Sequence, residues 1–145
     1  MRRELDELVG NRLAEHSIRY TRGRRRLVGN LELANGPQSA AEIHRQMRRS
    51  VPISSLYRSL SVLEEAGILT LHRGSGKVAK YELSEWLTGH HHHILCVECG
   101  RVDDIELTKE SERLLDSIAA DAGGKAGFRE SRHRLEIEGL CRECQ

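Results

Sequence analysis

All four cysteines of this 145-residue chain sit in two pairs of identical spacing, Cys96-Val97-Glu98-Cys99 and Cys141-Arg142-Glu143-Cys144. Two intervening residues let one turn aim both sulfurs at a single point, and four thiolates about 2.3 Å from one ion close a tetrahedral zinc site. Disulfide pairing is the competing use, and it needs an oxidising compartment. The chain opens Met1-Arg2-Arg3-Glu4-Leu5-Asp6, without the apolar core of a signal peptide, and it lacks the roughly 18 to 20 consecutive apolar residues of a membrane span. The sequence therefore reads as cytoplasmic and reduced, with no membrane partner. A thioredoxin-like redox pair would begin a helix after a βαβ strand, which neither pair does. The 41 residues between the pairs exceed the usual zinc-ribbon spacing. A structural Zn2+ on Cys96, Cys99, Cys141 and Cys144 would then staple a whole small module, coupling its folding to metal binding.

Three residues before Cys96 ends the run His90-His91-His92-His93. It continues directly into Ile94-Leu95-Cys96, unlike a purification tag, and a solvated surface cluster is the plainer alternative. On an extended strand alternate side chains face opposite ways, so His91 and His93 share one side while His90 and His92 share the other. One strand can thus serve two metal sites. Glu82, Asp104, Glu112 and His133 are polar groups on neighbouring elements that can complete them. Nitrogen and oxygen donors suit Zn2+, Fe2+, Ni2+ or Mn2+ without choosing among them.

The formal net charge of +1 conceals an asymmetry: residues 1–60 hold 12 Arg against 6 acidic side chains, and residues 61–145 hold 11 basic against 16 acidic ones. Arg22, Arg24, Arg25, Arg26, Arg45, Arg48, Arg49 and Arg58 give the first part the footprint of phosphate binding, with a solvated helix face as the alternative. Five aromatic residues are too few to read single strands by repeated stacking, which points to duplex DNA.

Periodicity orders the elements. Leu5, Leu8, Val9 and Leu13 mark a first helix, and Leu27, Val28 and Leu31 a second that Thr21 can cap and Asn35-Gly36-Pro37 stops. Ser39 and Glu42 form a capping box for a third, with Ala40, Ile43 and Met47 buried. Val51-Pro52 ends it, and Ser54 or Ser55 can cap a fourth, on which Leu56, Leu60 and Leu63 face inward and Tyr57, Arg58 and Ser61 outward until Gly67. The period then drops to 2 on either side of Gly74-Ser75-Gly76, which predicts a hairpin of Ile68–His72 and Val78–Leu83. Helix, break, helix, hairpin is the order of a winged helix-turn-helix. After a linker, Ser84 to Gly89, the remainder predicts strands at His90–Val97, Val102–Ile105 and Arg132–Gly139 and a helix near Ser111–Ala122. The expected class is α+β: a winged-helix DNA-binding domain at 1–83, a hinge at 84–89, and a small α/β dimerisation and metal-binding domain at 90–145.

Taken together, Thr21-Arg22-Gly23-Arg24, Ser39-Ala40-Ala41-Glu42-Ile43, Ile53 through Leu60, Leu63-Glu64-Glu65-Ala66-Gly67-Ile68, the histidine run followed by Cys-x2-Cys-Gly, and Gly127-Phe128 through His133 to Cys144 resemble the ferric uptake regulator family. The resemblance covers roughly residues 13–145. It implies a homodimeric, metal-dependent bacterial repressor of metal-uptake or stress genes that binds double-stranded operator DNA. It makes Cys96, Cys99, Cys141 and Cys144 structural zinc ligands, and Tyr57 and Arg58, with Ser55, Arg22 and Arg24 nearby, the DNA contacts. Glu82, His91, His93 and Asp104 fall at the family's regulatory hinge site, and His90, His92, Glu112 and His133 at a second site, with Glu110 as a rival to Glu112. Zn2+ or Fe2+ is the leading second metal, with Mn2+ or Ni2+ as alternatives.

Two departures from the family pattern stand out. Gly36-Pro37-Gln38 lacks the histidine that many members place before the third helix, and Thr70 and Ser84 replace other hinge ligands. His72, on the same strand face as Thr70, is the candidate replacement. A peroxide-sensing or metal-unresponsive regulator is the alternative function. A zinc metalloenzyme is more distant, since the chain has no HExxH, no H-x-E with PCxxC and no nucleophile elbow; the expectation is therefore no enzyme.

Overall fold

The computed structural model describes residues 1–48, 51–72, 78–129 and 132–145. The chain divides into two compact units, Met1–His90 and His91–Gln145, each an assembly of helix and sheet, so the fold is α+β.

In the first unit, α1 (Arg3–Glu15) turns Leu5, Val9 and Leu13 inward at i, i+4 spacing. Leu8 lies beside that stripe and is exposed, so only three of its four expected apolar positions are core. The hydroxyl of Thr21 accepts the Arg24 N–H to open α2 (Arg22–Glu32), which buries Leu27, Val28 and Leu31. Ser39 starts α3 (Ala40–Gln46) with the expected reciprocal box: the Glu42 carboxylate accepts the Ser39 N–H at 2.7 Å, and the Ser39 hydroxyl accepts the Glu42 N–H at 3.3 Å. The chain leaves α3 at Met47, before the expected stop at Val51-Pro52.

The cap of α4 (Ile53–Glu65) differs from expectation. Pro52 occupies the cap position without a side-chain hydrogen bond, and Ser54 and Ser55 lie inside the first turn. Proline carries a fixed φ and no N–H, so the helix starts immediately after it. Gly67, at φ 70°, ends α4 as expected: the Ile68 N–H reaches the Leu63 carbonyl and the Gly67 N–H the Glu64 carbonyl, the pattern of a left-handed glycine stop.

Strands β2 (Leu69–His72) and β3 (Lys80–Leu83) pair antiparallel with Thr70 opposite Glu82. Both are shorter than the periodicity indicates, and the expected turn at Gly74-Ser75-Gly76 lies outside the described residues. The two-residue β1 (Gln38–Ser39) adds to β3, with Gln38 opposite Tyr81, giving the order β1-β3-β2. Nothing in so short a segment signals a strand; its partner makes it one. The span expected to be a linker contains a short helix, α5 (Glu85–Thr88), and the Trp86 indole donates to the Gly67 carbonyl at 2.7 Å. Segment 84–89 is thus fastened to the first unit's own body. The core beneath is aliphatic, built on Val9, Leu13, Leu27, Ile43, Leu56, Leu60, Leu63 and Ile68.

In the second unit β4 (His92–Cys96) lies between β5 (Val102–Ile105), antiparallel, and β6 (Glu136–Gly139), parallel. α6 (Lys109–Lys125) follows β5, its first turn capped by the Thr108 hydroxyl accepting the Ser111 N–H. It is longer than the expected Ser111–Ala122, while β4 and β6 begin later than expected, at His92 and Glu136. Among the described residues only Leu95 and Cys96 are buried apolar side chains in this unit; Leu114 and Ile118 of α6 and Ile94 and Ile137 of the sheet are exposed.

Leu60→Ala should cost the first unit 2 to 5 kcal/mol, about the usual range for emptying a fully buried leucine site, whereas Leu33→Ala, 79% exposed, should stay within about 0.5 kcal/mol. Urea unfolding monitored by circular dichroism measures both.

Candidate metal centres and nucleic-acid interface

The ends of β4 and β6 set the cysteine geometry. Cys96 closes β4 opposite Gly139, and the Cys96 N–H donates to the Arg101 carbonyl while its own carbonyl accepts the Gly100 N–H, folding Cys99 back toward Cys96. Gly100 adopts φ 71°, which this turn requires. A second turn, with the Cys144 N–H on the Cys141 carbonyl, does the same at the chain's end. All four sulfurs lie within 4.8 Å of one another, and the Cys99 and Cys141 sulfurs are 3.8 Å apart. Sulfurs at the corners of a zinc tetrahedron with 2.3 Å bonds stand about 3.8 Å apart, so the donor set fits that ion.

Proton affinities within the cluster are split. The Cys141 backbone N–H, then that of Cys99, pull the Cys96 thiol down to about 6. At Cys99 the Arg101 N–H lowers the value, but the Cys96 sulfur, burial and the Cys141 sulfur outweigh it and hold the thiol above its usual range. Cys144 is pushed up to about 12 by the neighbouring Cys141 and Cys99 sulfurs. One thiolate is favoured and further ones repel it, an arrangement that a divalent cation relieves.

A second group forms across β4, α6 and the segment before β6. The fully buried His92 ring places Nε2 3.1 Å from Oε1 and 3.3 Å from Oε2 of Glu112. His133 Nε2 is 3.3 Å from Glu112 Oε2, and the two imidazole centres are 5.2 Å apart. Two imidazoles and a carboxylate converging on one point suit a borderline divalent cation. Glu112 supplies that carboxylate; Glu110 is exposed and, among the described residues, belongs to no such group. His90, just before the second unit, stands 3.5 Å from Glu85. Asp116, which sequence reasoning passed over, lies 3.1 Å from His133 Nδ1. Its signal was available: it follows Glu112 by four residues on a helix, hence on the same face.

A third group lies toward the start of β4. His93 and Asp104 are register partners across β4 and β5, with Nε2 and Oδ1 3.5 Å apart, and the His91 and His93 rings meet edge to face at 5.0 Å. Within the first unit, the Glu82 carboxylate on β3 lies 2.5 Å from His72 Nε2 on β2.

The expected DNA contacts are unevenly disposed. Ser55, Tyr57 and Arg58 are exposed on α4, Tyr57 by 53%, because Leu56 and Leu60 take the inward positions. Arg22 is exposed at the start of α2, whereas Arg24 is half-buried and donates to the Arg19 carbonyl at 2.5 Å, bracing the turn before that helix. Arg25 lies over the Tyr20 ring, 4.4 Å from its centre, and pairs with Asp6.

Helices with a small antiparallel sheet make up one unit, and a thiol cluster and imidazole–carboxylate clusters mark the other. The sequence model of the ferric uptake regulator family matches residues 15–138. The Ferric uptake regulation protein of Neisseria meningitidis is 36% identical over 110 residues, 74% of this chain and 72% of that protein. A zinc-bound manganese uptake regulator superposes with a TM-score of 0.68 at 30% identity, over 94% of this chain and 98% of that one. The Helicobacter pylori ferric uptake regulator shares the fold, with a TM-score of 0.74 at 22% identity over 97% and 91% of the two chains. This chain belongs to the ferric uptake regulator family.

The split thiol affinities set a proton count. One equivalent of zinc added to metal-free protein near about pH 8 should release protons from Cys99 and Cys144 and little from Cys96, which is already ionised there. Near about pH 5, below the Cys96 value, Cys96 adds its own proton and the release grows. Calorimetry in buffers of different ionisation enthalpy reads the release; equal counts at the two pH values contradict the split.

Proposed function

We propose that the protein is a cytoplasmic homodimeric repressor whose residues 1–83 bind double-stranded operator DNA when a divalent metal occupies a regulatory site, and that it is not an enzyme. The observation that carries this reading is the collection of His91, His93 and Asp104 at the start of the second unit, immediately after the segment that joins it to the first. A metal held there by those three side chains, together with Glu82 of the first unit, ties the relative orientation of the units to metal occupancy. His72 completes the set in place of the ligand lost at Gly36-Pro37-Gln38; its closeness to the Glu82 carboxylate supports that substitution. Zn2+ or Fe2+ is the favoured regulatory ion, with Mn2+ or Ni2+ as alternatives.

In the same reading Cys96, Cys99, Cys141 and Cys144 hold structural zinc, and His90, His92, Glu112 and His133 hold a further ion within the dimerisation domain, residues 90–145. Dimerisation is supported by the exposed Leu114, Ile118, Ile94 and Ile137, which a second copy would cover. On α4, Tyr57 and Arg58, with Ser55 beside them, read the DNA, and Arg22 contacts phosphate. Arg24 supports the start of α2 and contributes to DNA binding through its position there. In this reading segment 84–89, with α5 inside it, is the hinge region that precedes the second domain. No helix among the described residues is long and apolar enough to cross a membrane.

The test is an operator-binding titration with and without metal. The His91→Ala/His93→Ala double variant should keep its dimer and thiolate zinc but lose metal-stimulated binding. Arg58→Ala should weaken binding by about 1 to 3 kcal/mol even with metal present, the usual worth of a base or phosphate contact. Fully metal-dependent binding by the double variant would overturn the regulatory assignment.

A further inference from the structure

We infer that Asp116 is a positioning residue for the second metal site: it holds His133 by Nδ1 so that Nε2 points to the ion, and it thereby sets the affinity of that site without coordinating. This rests on the proposed function of His92, Glu112 and His133 as ligands. The imidazole of His133 is held from both ends. Nε2 is 3.3 Å from Glu112 Oε2 and Nδ1 is 3.1 Å from Asp116 Oδ1. Both carboxylates come from α6, four residues apart, so they stand one turn above the other on the same helical face. A ring with a carboxylate beside each nitrogen, the two acids one turn apart, is restricted in its plane, and the Asp116 charge beside Nδ1 favours the tautomer that carries its hydrogen there and leaves the Nε2 lone pair for a cation.

Burial separates the two acids into different roles. Glu112 is 28% exposed and touches both imidazoles, whereas Asp116 is 72% exposed and touches only the far nitrogen of one. His92 is on a central strand. His133 lies before β6 in segment 132–135, which is neither helix nor strand. Asp116 is placed to steer that ring from the side opposite Glu112. A carboxylate on the outer nitrogen also raises the basicity of the ligating one, which strengthens the bond to a divalent cation. Because Asp116 is mostly solvated, its removal should hardly disturb folding.

Cobalt(II) titration tests this, with the protein carrying its thiolate zinc and the His91→Ala/His93→Ala changes so that the d–d absorption reports the second site. Asp116→Ala should weaken cobalt binding on the order of 10- to 100-fold, the usual effect of losing a ligand's outer partner. Asp116→Asn, which keeps an acceptor but no charge, should fall between it and the parent. Thermal midpoints of the cobalt-free proteins should coincide. Glu112→Gln should abolish the band, which tests the site itself. Cobalt affinity of Asp116→Ala within twofold of the parent would overturn the role. So would a loss in Asp116→Asn as complete as in Glu112→Gln, since Asp116 would then be a ligand. A parent without the band would overturn the site and the inference together.

Discussion

The convergence of four sulfurs at the end of one strand pair is the constraint around which the strands of the second unit are arranged. Of its 55 residues, the described ones bury only Leu95 and Cys96 as apolar side chains, so burial within one chain contributes little toward ordering its three short strands and one helix. Cross-linking through a metal changes that balance, because ligation energy becomes folding energy. The sulfurs meet where distant parts of the unit come together: Cys96 ends the central strand, Cys141 follows β6, and the parallel pairing of those strands brings the two turns together. The Cys141 N–H that steadies the Cys96 thiolate belongs to the other CxxC pair, so the two halves of the cluster support each other even before an ion arrives.

The imidazole groups use the opposite logic. Alternation along β4 sends His92 toward α6 and His93 toward Asp104 on β5, so adjacent residues join different histidine–carboxylate clusters. A strand separates two sites by a single residue, which a helix or loop cannot do so cleanly. Both rings are buried, and buried imidazoles beside carboxylates are costly unless the set of donors is satisfied. The first unit, by contrast, is packed around aliphatic Leu13, Leu27, Ile43 and Leu60 and leaves Tyr57 and Arg58 exposed on one face of α4. Buried apolar and exposed polar side chains thus occupy different faces of the same helix.

Much of this is fixed by local rules that act through sequence alone. The Ser39–Glu42 box, the Thr21 cap, the Gly67 stop, the inward stripes of α2 and α4 and the strand at Val102–Ile105 follow from residue type and spacing, because each depends on neighbours a few residues away. The ligand chemistry of the cysteine pairs and the two-sided histidine run are local in the same sense. Tertiary structure decided what depends on distant partners: that Gln38–Ser39 becomes a strand because β3 lies beside it, that 84–89 is anchored by Trp86 to the end of α4, and that Leu8 falls outside the core. It decided that Arg24 serves the Arg19 carbonyl, that Glu112 and not Glu110 meets the histidines, and that Asp116 stands behind His133. Helix phase relative to a sheet, and the path of an irregular segment such as 132–135, are set by packing across the fold, and no periodicity within either segment encodes them.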